Sequence, residues 1–274
     1  MSIQWVVSAA EAKQLMPEAT ILDTRNLVAW VLGHIQGAVH VTWQQFSQPR
    51  LPNKGKLIEN PSTLEQKLRA VGIFNTKPVI VIGDPPHNFG EEGRIVWMLR
   101  TLGHAQAVFV DGGHAALVLA GIPIQRGLTQ PQAKGDFVVQ RTGLWEIQRD
   151  ELKTYLAAGW VPNFCTIDTR EPREYAGATP YGEQRGGHIP GAVNLYFKDL
   201  MDVNGYLLPR EQMLAKLNQI GLDPHTTITT YCTGGIRSAW VVGVLSDLGF
   251  KNVKNYAGSM WEWSASASND YPLI

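Results

Sequence analysis

Short apolar runs alternate with amphipathic stretches along almost the whole chain. Residues 79–82, 108–110, 226–231 and 253–256 are rich in β-branched and aromatic side chains and read as strands. Helical patterns lie between them. One covers residues 63–71, with Ser62 as the expected N-cap and Gly72 as the stop. Another covers residues 210–220 and is closed by Gly221. Strands separated by helices need crossover connections, so the pattern predicts an α/β fold whose mainly parallel sheets are flanked by helices.

The pattern occurs twice. Gly33-His34-Ile35-Gln36-Gly37-Ala38-Val39 and Gly187-His188-Ile189-Pro190-Gly191-Ala192-Val193 agree at six of seven positions. Asp23-Thr24-Arg25 answers Asp168-Thr169-Arg170, and Leu102-Gly103 answers Leu248-Gly249, in the same order and at a similar offset. This is a tandem duplication. The first domain is expected over residues 1–125 and the second over residues 138–274; the polar Gly- and Pro-containing stretch 126–137 reads as the linker.

Composition narrows the function. The chain has 274 residues, with 24 Lys plus Arg against 24 Asp plus Glu. A zero net charge gives no bulk attraction to nucleic acid or anionic membrane, so neither is an expected partner. No apolar run approaches the roughly 20 residues of a membrane span, and the start of the chain lacks the pattern of a secretory signal. Only two cysteines are present, Cys165 and Cys232. That count excludes a disulfide scaffold and a multi-cysteine metal site, and the expected location is cytoplasmic.

A duplication contains its own control, because features shared by both copies serve the fold and features of one copy are better candidates for function. The paired Asp-Thr-Arg segments read as strand-end ion pairs, and His34 and His188 as rings that satisfy backbone groups in tight loops. Trp261 and Trp263 read as core or seam residues. The copies differ most after the fourth strand. The second has Cys232-Thr233-Gly234-Gly235-Ile236-Arg237-Ser238 followed by a helical pattern. Its glycines let several N–H groups converge at a helix start, a nest that favours an anion and lowers a thiol pKa. Arg237 adds a charge that must pair with an anion or a carboxylate. The first copy has Pro85, Pro86, Asp84, Glu91 and Glu92 in this region and is expected to be inactive, forming at most one wall of the pocket. An insertion over residues 176–186 of the second copy is either a substrate-facing loop or solvated padding. Cys165, at a strand start, reads as inert.

The Cys232 loop resembles the active-site loop of rhodanese-type sulfurtransferases. Residues 187–193 and Gly258-Ser259-Met260-Trp261-Glu262-Trp263 resemble two further segments of that family. The likeness spans nearly the whole chain, as an inactive and an active rhodanese-like domain in tandem. It implies a Cys232 persulfide that takes sulfur from thiosulfate or 3-mercaptopyruvate and passes it to cyanide or a thiol. It also implies a cradle of residues Thr233, Gly234, Gly235, Ile236, Arg237 and Ser238, and no metal or organic cofactor. Mercaptopyruvate enzymes of the family place arginines where this chain has Glu174 and Tyr181, which leaves Arg185 as the nearest substrate-binding candidate. Arg237 favours a small dianion such as thiosulfate. The competing readings are a 3-mercaptopyruvate-preferring enzyme, a non-catalytic persulfide carrier or redox adaptor, and a cysteine phosphatase or arsenate reductase relative. A rhodanese-like tRNA-modifying protein is a further rival, disfavoured by the absence of a basic tract.

Overall fold

The computed structural model describes residues 4–158 and 163–274. In the first copy, β1 (Val6–Val7), β2 (Thr20–Asp23), β3 (His34–Ile35), β4 (Val39–His40), β5 (Val79–Ile82), β6 (Ala107–Val110) and β7 (Ile124–Gln125) are strands. The second copy contributes β8 (Phe164–Asp168), β9 (Val193–Asn194), β10 (Thr227–Tyr231) and β11 (Asn252–Asn255). The first sheet runs β1-β6-β5-β2-β4 and the second β11-β10-β8-β9, both wholly parallel. β3 and β7 form a separate antiparallel pair. The second sheet keeps a trace of a fifth strand, because Glu146 bridges Asn255 in parallel. The all-apolar β5 is buried on both faces, as a parallel strand covered by helices must be.

The shared segments serve the frame. Arg25 closes on Asp23 at 2.8 Å and donates to Gly33 O, and Arg170 closes on Asp168 at 2.6 Å and donates to Gly187 O. Each arginine thus ties a strand end to the glycine before the histidine. His34 is buried against Trp30 O and Thr129 Oγ1, and His188 Nδ1 lies 3.0 Å from Tyr175 O. One helix start differs from expectation. The helix is Pro61–Ala70 and its cap is Asn60, whose side chain accepts from Thr63 N; Pro61 takes the first helical position, where no N–H is needed.

The copies meet through two helices, Glu91–Thr101 and Ile236–Asp247, each buried around almost its whole circumference. Each has its own sheet on one side and its counterpart on the other, which is why even Glu92, Arg94 and Arg100 of the first helix are buried. Gly93 makes the crossing close: a Cβ there would lie 2.5 Å from Trp240 Cα. Phe109 and Phe197 pack on the Trp240 ring at 6.1 and 5.8 Å. Residues 131–137 adhere to the first copy, with Gly135 N donating to Arg69 O and Phe137 buried in the core.

Candidate active site

β10 ends at Tyr231 and the next helix begins at Ile236, so Cys232 starts a loop of four residues. The helix starts earlier in the loop than its sequence suggests, and Arg237 and Ser238 lie in its first turn. Gly235 takes φ +80°, and a side chain there would meet Ala257 O at 2.6 Å. That backbone brings Gly235 N to 3.1 Å from Cys232 Sγ. Ser238 Oγ stands 3.5 Å from the sulfur, and Ser259 Oγ accepts from Cys232 N at 3.1 Å.

The thiol is only 1% exposed. Burial pushes its pKa up, but the charge of Arg237 and the donors of Ser238 and Gly234 outweigh burial and hold it below the ordinary thiol value. Cys165 has no such donors, and burial alone pushes it up to about 11.

Arg237 pairs with a carboxylate. Its Nη1 and Nη2 meet Glu174 Oε2 and Oε1 at 2.6 and 2.8 Å, and Nη2 also donates to Thr233 Oγ1. Burial works against both charges, yet each partner keeps the other ionised: Glu174 is held low and Arg237 high. Glu183 Oε1 also lies 3.0 Å from Thr233 Oγ1, so two carboxylates share one hydroxyl.

A cleft of about 330 Å³ opens over the sulfur. Cys232, Thr233, Gly234, Ile236 and Arg237 line it, together with Trp261 and Tyr181. The first copy supplies Trp43, Gln44, Phe89 and Glu91. Arg94 reaches behind the loop from the first copy and donates to Gly235 O at 3.2 Å, Gly55 O at 2.6 Å and Ser47 Oγ at 3.3 Å. Burial pulls its pKa down to about 9, and the Cys232 charge opposes that fall.

One expectation is corrected. Arg185 is not in the cleft, because its Nε and Nη2 donate to the carbonyls of Ser264, Trp263, Ser266 and Tyr271 and clasp the end of the chain. Trp261 stands at the seam, with the Trp43 ring of the first copy 6.3 Å away, and there it forms a cleft wall, while Trp263 is buried as expected. The inserted loop is no padding, since Tyr181 and Glu183 both reach the site. Arg94 was not singled out from the sequence. Its signal lay in the register of the two helices: counted from Gly90 and Gly235, it falls where the second copy has Ala239.

The rhodanese-like domain matches residues 8–119 and again residues 148–266. The chain belongs to the rhodanese family. The thiosulfate sulfurtransferase of Azotobacter vinelandii is 31% identical over 268 residues, covering 96% of this chain and 94% of that protein. A sulfur carrier protein of Thermus thermophilus is 26% identical, over 96% and 92% of the two chains. The solved structure of SseA from Escherichia coli, described among the 3-mercaptopyruvate sulfotransferases, superposes with a TM-score of 0.76 at 26% identity, over 93% and 98% of the two chains. The molecule is therefore a rhodanese-like sulfurtransferase with two tandem rhodanese domains. Among the described residues no helix is long and apolar enough to cross a membrane.

Proposed function

We propose that this sulfurtransferase moves a sulfane sulfur from a donor such as thiosulfate or 3-mercaptopyruvate through a persulfide on Cys232 to cyanide or a thiol. The observation that carries this reading is a buried thiol with a depressed pKa, facing Gly235 N at 3.1 Å at the floor of an open cleft. With thiosulfate, the Cys232 thiolate attacks the outer sulfur. The S–S bond of the donor breaks, and sulfite leaves with the electron pair. The loop N–H groups then face the terminal sulfur of the persulfide, where charge resides, so the cradle stabilises the intermediate as well as the nucleophile.

Intact-protein mass after incubation with thiosulfate and, separately, with 3-mercaptopyruvate tests the reading. The expected result is a gain of about 32 Da that cyanide removes and that Cys232→Ser never shows. A gain that persists in Cys232→Ser, or no gain with either donor, overturns it. The donor that loads faster names the preferred one.

A further inference from the structure

The first copy reaches the sulfur from behind, through Gly55 and Arg94. Gly55 lies against the back of the loop, where a Cβ would collide with Gly234 O and Ala257 O. Gly234 O belongs to the same peptide group as Gly235 N, the donor that faces Cys232 Sγ at 3.1 Å. Arg94 holds this contact from both sides. Its Nη2 donates to Gly55 O at 2.6 Å and its Nη1 to Gly235 O at 3.2 Å. The guanidinium is also a charge without a carboxylate. Arg94 is 1% exposed, and among the described residues its hydrogen bonds go only to those carbonyls and the Ser47 hydroxyl. The buried Arg25, Arg170 and Arg237 each close on a carboxylate. Arg100 has no such pair, but the Asp247 charge acts on it. On Arg94 the strongest opposite charge is Cys232 itself, ahead of Glu146, which Arg141 approaches at 3.3 Å. A buried cation with no counter-charge is strongly destabilising. The attraction is mutual, so the guanidinium favours the ionised sulfur.

We propose that Arg94 is a positioning residue lent to the active site by the copy that has no cysteine: it seats the peptide group that faces the sulfur, and its counter-charge is the Cys232 thiolate and then the persulfide. This rests on the reading of Cys232 as the sulfur carrier given above. Arg237 also acts on the sulfur, but Glu174 offsets its charge. The positive charge of Arg94 has no such offset, which suits a site whose donor is an anion. The other charged groups around the loop stay in place when Arg94 is changed. They are Glu174 on Arg237, Glu183 at Thr233, Glu262 held by Lys56 and Tyr256, Glu91 under the charge of Lys198, and Lys54 over the Trp261 ring.

The test compares three variants of the full chain in a Cys165→Ser background, so that Cys232 is the only thiol. Arg94→Gln and Arg94→Met both remove the charge. Met, apolar and of similar length, covers the case in which Gln does not fold, because a buried ion is often replaced by an apolar side chain without loss of the fold. Arg94→Lys keeps the charge and gives up the two-armed grip. Urea unfolding confirms that each protein is folded, and the readout is the midpoint of Cys232 alkylation by iodoacetamide against pH. In Arg94→Gln and Arg94→Met the midpoint is expected to rise by about one pH unit, a roughly tenfold smaller thiolate fraction at a fixed pH below it, from the loss of one charge at a partly buried distance. Arg94→Lys is expected to recover at least half of that shift. An unmoved midpoint in a folded neutral variant overturns the proposal. A folded Arg94→Lys displaced as far as the neutral variants assigns the effect to shape and overturns the counter-charge. Failure of thiosulfate and of 3-mercaptopyruvate to add sulfur to the unmodified protein is a different result: it overturns the persulfide reading, while the alkylation midpoints still decide whether Arg94 acts on the thiolate.

Discussion

Ser238 is the side chain whose loss separates acidity from attack at the sulfur. It stands 3.5 Å from Cys232 Sγ and donates to Asn255 Oδ1 at 2.7 Å. Both its backbone and its hydroxyl help to hold the thiol pKa down. Ser238→Ala keeps the backbone contribution and loses the other, so the midpoint of Cys232 alkylation against pH is expected to move upward. Sulfur loading near neutral pH should then slow several-fold; an unchanged midpoint would show that the hydroxyl serves only Asn255. Arg237→Gln is expected to cost about 3–5 kcal/mol of stability, because it strands the buried Glu174. The double variant with Glu174→Gln should recover part of that loss in urea unfolding, and no recovery would contradict the pairing. Cys165→Ser should leave transfer rates unchanged, since burial holds that thiol at about 11. The Cys232 loop was legible in the sequence because its glycines, its thiol and its arginine are contiguous. Glu91, Arg94 and Glu183 are less legible, because they reach the site through folding from distant segments.

The two seam helices show where local patterns stop being informative. The apolar character of Ile236–Asp247 is readable in the sequence, whereas Glu91–Thr101 carries Glu92, Arg94 and Arg100, which are nonetheless buried; the partner of each face is not readable, because that partner is the other copy. Gly93 would pass as a weak point in a helix, since glycine disfavours helix by up to about 1 kcal/mol relative to alanine. In the fold it is the place where two backbones nearly touch. Gly93→Ala is therefore expected to destabilise by about 2–3 kcal/mol despite its better propensity, because overpacking at a fixed crossing outweighs the gain. A urea midpoint that rises instead would show that the crossing can open without penalty. The Asn60 cap teaches the same lesson on a small scale: Ser62 has the right chemistry, but Pro61 already occupies the first helical position and moves the cap upstream.

Across the whole molecule, stability should depend on pH through the seam. Glu92 is fully buried, with Oε2 accepting from Asn88 Nδ2 at 2.7 Å and Oε1 without a partner among the described residues. Burial, aided by the neighbouring Glu91 charge, pushes its pKa up to about 7. A carboxyl that is easier to protonate when folded stabilises the fold below its unfolded pKa, near 4.5. That contribution is lost as pH rises towards 7. The loss is of the order of 3 kcal/mol. Glu92→Gln should remove this slope and be relatively more stable at pH 8 than at pH 5; a stability difference that is the same at both pH values would contradict the assignment. The duplication, the parallel sheets and the asymmetry between the copies were all legible from repeated residues. The way the two copies close on each other was not, since it depends on surfaces that have no signature along either copy alone.

Arg94 has a consequence for the history of such a chain. The copy without a cysteine supplies the guanidinium that grips the carbonyl of Gly235, the residue whose N–H faces the sulfur. Once a duplicate has taken over that grip, deleting it no longer restores the ancestral single domain. It leaves a reactive loop whose brace has gone. The two copies then cannot be parted without cost, and selection can preserve the half that has no cysteine for what it holds in place.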